Sequence, residues 1–218
     1  MNVYFVRHGE TEANKQHILQ GPAGGLSEHG RKQAAFVAKR FDTITVDLIV
    51  SSPIERTKET TEIINSQLNK EILYSELFVE WLPPSRFRGV SSDDPTFLAY
   101  LKEAKLKRQQ DPTWQESDGD SFLGFKTRAV EALDYLISLK KENILVVTHA
   151  GFLRMLASVM MFGKELTYHE YGKVFQTLRV HNTAITLCDY LGDNPENPRI
   201  HGWKIRTWND HAHLGEIS

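Results

Sequence analysis

Apolar positions along the chain follow two periods. Short solid apolar runs, suited to strands buried on both faces, occur at 3–7 (VYFVR), 46–51 (VDLIVS) and, most clearly, 143–149 (NILVVTH). A further strand is expected at 71–77 (EILYSEL). Two late strands are expected at 183–190 and 201–209, joined by a turn at 191–198 (LGDNPENP). Between these runs the period lengthens to that of a helix. Ser27 reads as a cap for a helix carrying Ala34, Val37, Ala38 and Phe41 on one face. Ser52-Pro53-Ile54-Glu55 reads as a capping box opening a helix that runs to about Leu68. A long helix from about Ser121 to Lys140 aligns Phe122, Phe125, Ala129, Leu133 and Leu136, and another follows Ala150-Gly151. Residues 81–95 have no period, Asp94-Pro95 starts a lysine-rich helix, and 110–120 is polar and turn-prone.

Strands alternating with helices predict an α/β fold. It is read as a three-layer α/β/α sandwich with a mostly parallel central sheet, the last two strands adding an antiparallel edge. The expected organisation is a single domain, 1–218, with a small cap inserted at about 81–120. In such sheets ligands bind beyond the carboxyl ends of the strands.

Composition narrows the function. The chain has 218 residues, 40% hydrophobic and 25% charged, with a net charge of -2. There is no basic stripe for nucleic acid. No apolar run approaches the roughly 18 residues of a membrane span. The start MNVYF has no charged segment ahead of a long apolar one, so no signal peptide is expected, and the location is read as cytoplasmic. The single cysteine, Cys188, excludes an internal disulfide. A small anionic substrate remains open, because a few arginines suffice to build its pocket.

Three expected strands end in polar residues: Arg7-His8, Ser51-Ser52 and Thr148-His149. Arg56 falls in the first turn after the second of them, and Gly151 begins the helix after the third. Two arginines, two histidines and a positive helix end would then share one edge. A core tolerates that poorly unless an anion occupies it, and arginine matches phosphate geometry. A histidine held there can attack phosphorus through a ring nitrogen while the arginines carry the transition-state charge. A carboxyl group must protonate the leaving oxygen, and Glu80 and Glu76 are the candidates just past the third strand. Alone, His8 would read as a satisfied core histidine; with Arg7, Arg56 and His149 on matching edges it does not. His211 and His213 lack a cysteine or carboxylate cluster and read as packing or tail residues. GLSEHGRK at 25–32 lacks the ending of a phosphate-binding loop, and Cys188 lacks the arginine of a cysteine phosphatase.

RHGETEAN, QG, LSEHGRKQA, SSPIERTKET and VTHAGFLR together resemble the histidine phosphatase superfamily in its phosphoglycerate-mutase-like branch. The resemblance covers 3–62 and 143–156 closely and resumes weakly at HNTAITL. It implies that His8 accepts the phosphoryl group and that Arg7, Arg56 and His149 form the phosphate pocket. It implies that Asn14, Gly21 and the Ala150 backbone N–H approach the phosphate. It also implies that no metal or other cofactor is needed. SELFVEWLPPSRFRGV departs from the family's usual Glu-Gly pattern, so Glu80 and Glu76 both stay open as the acid. Arg86 and Arg88 are candidates for a second anionic group. The expected activity is hydrolysis of a small phosphomonoester through a phosphohistidine. The alternatives are a phosphomutase using the same pocket and a catalytically silent phospho-ligand binder. A homodimer is left open.

Overall fold

The solid apolar runs form the parallel part of one sheet. The computed structural model describes residues 1–192 and 201–217. Its strands are β1 (Asn2–Arg7), β2 (Leu48–Ser51), β3 (Ile72–Tyr74), β4 (Asn143–Thr148), β5 (Ile185–Tyr190) and β6 (Trp203–Asp210). They lie in the order β3-β2-β4-β1-β5-β6. The first four strands run parallel, whereas β5 is antiparallel to both β1 and β6. The antiparallel edge is thus where the alternation of strand and helix stops.

Helices α1 (Glu12–Lys15), α2 (Glu28–Arg40), α3 (Glu55–Leu68), α4 (Pro95–Gln110), α5 (Phe122–Ser138), α6 (Ala150–Phe162) and α7 (Tyr168–Thr177) follow in chain order. Alternate side chains of each parallel strand enter opposite cores. Phe5, Val50 and Val146 pack with Phe125 and Leu133 of α5 and Phe152 of α6. Val6, Ile49 and Val147 pack with Val37 of α2 and Ile64 of α3. That is the expected three-layer sandwich. Within segment 81–120, Phe87, Phe97, Tyr100 and Ala104 form a small cluster of their own. An antiparallel bridge between Ile18 and Ser91 ties this segment to the loop after α1.

Three local readings change, and a fourth lies largely outside the described residues. The third strand stops at Tyr74, because Ser75 turns the chain into a 3-10 turn at Glu76–Phe78 and caps it at the Leu77 N–H. The capping box at Ser52–Glu55 does not form: α3 begins at Glu55 after Ile54, and no side chain caps it. The Ser52 hydroxyl is bonded to His149 instead. Helices α1 and α7 are additions to the pattern. The turn read at 191–198 falls largely on residues 193–200, which lie outside the described residues. Among the described residues no helix is long and apolar enough to cross a membrane.

Candidate active site

Sheet register assembles the site. Arg7 of β1 pairs with Thr148 of β4, and the His8 N–H donates to the Thr148 carbonyl at 2.9 Å. His8 and His149 therefore leave the sheet side by side, their rings edge-on at 5.2 Å between centroids. Ser51 pairs with Val147, which brings Ser52 to the same edge.

The turn after His8 depends on close backbone approach. A Cβ on Gly9 would stand 2.5 Å from the Gly30 carbonyl oxygen of α2. The Gly9 N–H donates to Thr60 of α3 at 3.0 Å, and Gly9 also orders the histidine. His8 Nδ1 lies 2.7 Å from the Gly9 carbonyl oxygen. A carbonyl only accepts, so Nδ1 carries the proton and Nε2 keeps a bare lone pair. The far side is clamped from the turn ahead of β5: Thr183 N–H donates to the Arg7 carbonyl and Asn182 Nδ2 to the His8 carbonyl, each at 2.9 Å.

The arginines are held by one arm each. Arg7 Nη1 donates to the Val180 carbonyl at 2.7 Å, and Arg56 Nη1 to the Gly21 carbonyl at 3.0 Å. The Nε atoms of both and Nδ1 of His149 are buried without a hydrogen-bond partner. Burial, then the charge of Arg56, the neighbouring His149 and the charge of Arg7, holds His8 well below the ordinary histidine range. Burial, then Arg56, Arg7 and Arg128, does the same to His149. Burial lowers Arg7 to about 10, opposed by Glu80, so it stays charged at neutral pH. Cations and unspent donors concentrated in this way suit a multiply charged anion.

Glu80 stands opposite them. Its Oε2 accepts the Gly151 N–H, and its Oε1 accepts those of Phe152 and Trp81, all at 2.9 Å. Gly151 makes room for this: a Cβ there would lie 2.6 Å from Glu80 Oε1. His149, the residue preceding α6, gives the helix no side-chain cap, and Glu80 takes that place from the segment that follows β3.

Arg7, His8, Arg56 and Glu80 line one cavity of about 700 Å³, with Asn14 and Ala150 also on its wall. Glu76 is exposed and lines a separate cavity of about 570 Å³ beside Leu123 and Glu131. Gly21 stands behind Arg56 and is not on the cavity wall. Arg86 and Arg88 do not reach the cavity either: they pair with Glu116 and Asp118. Arg154 was not anticipated and does line it, with its Nε donating to the Leu178 carbonyl at 2.7 Å. Its place four residues after Ala150, on the same face of α6, was a readable signal. His211 stacks on His181 at 4.2 Å and His213 bonds the Thr183 hydroxyl, as packing residues do. Among the described residues no group of three or more His, Cys, Asp or Glu could hold a metal ion.

A neutral histidine with a bare ring nitrogen, ringed by arginines at the carboxyl edge of an α/β/α sheet, defines a phosphoryl-transfer protein of the phosphohistidine kind. The chain belongs to the histidine phosphatase superfamily (branch 1), which it matches over residues 3–210. It is 28% identical over 219 residues to a probable phosphatase of Schizosaccharomyces pombe, covering 98% of this chain and 95% of the relative. It is also 28% identical over 232 residues to the probable phosphoglycerate mutase GpmB of Proteus mirabilis, covering 100% of this chain and 97% of the relative. The alpha-ribazole phosphatase from Shigella flexneri superposes with a TM-score of 0.75 over 97% of each chain at 21% identity, a likeness of fold.

Proposed function

We propose that this chain hydrolyses phosphomonoesters in two displacements at His8. The observation that carries the reading is the Gly9 carbonyl bond, which leaves His8 Nε2 as the free nucleophile among Arg7, Arg56 and His149. In the first step Nε2 attacks phosphorus, the N–P bond forms and the ester P–O bond breaks. The leaving oxygen takes a proton from Glu80. In the second step water attacks phosphorus, the N–P bond breaks and the water proton returns to the Glu80 carboxylate. Phosphate then leaves.

Charge accumulates on the transferring oxygens, and the preorganised donors of Arg7, Arg56 and His149 meet it. The Gly9 carbonyl steadies the ring as it turns cationic on phosphorylation. Asn14 and the Ala150 N–H complete the phosphate seat, while Gly21 acts through Arg56. Glu80 is the acid because it shares the cavity with His8, whereas Glu76 faces a different one. Residues 81–120 act as a cap over this site, within a single domain that works in the cytoplasm.

Rapid quenching after brief exposure to labelled substrate should leave acid-labile, base-stable label on the wild-type chain and none on His8→Ala, with turnover abolished in the variant. Label on the alanine variant, or label that survives acid, would remove His8 as the nucleophile. Exhaustive chelation should leave the rate unchanged. Phosphate release measured beside isomer formation separates hydrolysis from mutase action.

A further inference from the structure

The cavity extends outward from His8 between α4 and α7, which touch. Trp81, Phe97, Tyr100 and Phe175 make much of its outer wall aromatic. Six arginines and lysines line it against one carboxylate, Glu80. Arg7, Arg56 and Arg154 belong to its inner end. Lys105 and Arg108 stand on α4, with Lys173 on α7.

Arg108 differs from the other arginines of its segment, and from its unpaired lysines by being buried. Arg86, Arg88 and Lys107 are neutralised by Glu116, Asp118 and Glu103. Arg108 is only 5% exposed, and no carboxylate among the described residues lies within ion-pair distance of it. Its guanidinium lies 4.6 Å from the Trp81 ring centroid, 5.5 Å from that of Trp114 and 5.9 Å from that of Tyr100. Nη2 donates to the Tyr100 hydroxyl at 3.0 Å, while Nε has no hydrogen-bond partner. Ring faces offset part of the cost of burying a cation and fix its plane. They supply no counter-charge, and a buried cation without one is costly.

We propose that Arg108 is a second anion subsite, and that the preferred substrate is a phosphomonoester whose leaving group is a flat or apolar body bearing a carboxylate. This rests on the reading of His8 as phosphoryl acceptor and Glu80 as acid. The direction follows from Trp81. Its backbone N–H donates to Glu80, the group that protonates the leaving oxygen, and its ring lies under Arg108. A leaving group emerging past Glu80 therefore crosses Trp81 and presents its far end to Arg108. Lys105 and Lys173 favour the same sign of charge at the mouth. The anionic group sought among cap arginines is thus met by Arg108 rather than by Arg86 or Arg88.

The test compares kcat/KM for phenyl phosphate with that for its 3- and 4-carboxy derivatives. Arg108→Met keeps an apolar chain against the rings and removes the charge; Arg108→Lys keeps the charge and loses the planar fork. The preference for the better carboxylated isomer over phenyl phosphate should fall roughly 10- to 100-fold in Arg108→Met, the scale of a lost hydrogen bond to a charged group. Arg108→Lys should retain part of it. Because each variant serves as its own reference through phenyl phosphate, partial unfolding cancels from the ratio. A preference in Arg108→Met within twofold of wild type overturns the subsite. Failure of the wild-type chain to turn over any of the three esters overturns the phosphatase reading instead.

Discussion

Gly9 contributes to His8 a carbonyl oxygen and a missing Cβ, and the proposed chemistry uses both. The carbonyl holds the proton on Nδ1, and the absent Cβ lets the turn lie against Gly30. Around that ring each polar group has one use. Arg7→Ala and Arg56→Ala should each lower turnover on the order of 10²–10³-fold, as for loss of one preorganised donor at a developing charge. Both should also weaken inhibition by phosphate or vanadate; an arginine whose loss changes neither has no part in the pocket. Glu80 is tested through its leaving group. An alkyl alkoxide needs a proton and a nitrophenolate hardly does. Glu80→Gln should therefore slow phosphohistidine formation by orders of magnitude with an alkyl phosphate and far less with an aryl one, each tenfold being about 1.4 kcal/mol. Equal losses in single-turnover rates would refute the assignment.

At the scale of elements, α6 depends on a residue far away in sequence. Its first free N–H groups are met by Glu80, which only the gap at Gly151 admits. Gly151→Ala should displace the carboxylate while α6 persists, and so reproduce the leaving-group dependence of Glu80→Gln. A Gly151→Ala chain with unchanged rates on alkyl phosphates would separate the cap from the acid. This arrangement also marks where reading the sequence stops. The parallel strands were legible because burial on both faces leaves solid apolar runs, and His8, Arg7 and His149 were legible as their polar ends. Which of Glu80 and Glu76 shares the cavity with His8 was not, since it turns on which carboxyl meets the start of α6. Ser52 followed a local capping rule on paper, but its hydroxyl is drawn to His149, 97 residues away. The signal for α7 was present in Thr167-x-x-Glu170, which forms a capping box. Arg86 and Arg88 looked free because their partners, Glu116 and Asp118, lie about 30 residues on.

The whole molecule carries a cost for this site that pH exposes. His8 and His149 are neutral in the fold, held well below the usual histidine value by burial first and then by Arg56 and the other cations. In the unfolded chain both return to about 6.5. Below that pH the unfolded state binds more protons than the folded one, so stability falls as pH drops and recovers as pH rises. Each histidine should remove roughly 1 kcal/mol between pH 7 and pH 5.5, a window above that in which unfolded carboxylates titrate. Denaturant unfolding at the two pH values measures the difference directly. His8→Asn and His149→Asn should each flatten the dependence by about one histidine's share, whatever they do to stability at pH 7. Saturating phosphate should flatten it in the wild-type chain, because an anion beside Arg7 and Arg56 offsets the charge that keeps the rings neutral. If neither substitution changes the slope, the acid sensitivity belongs to groups outside the site.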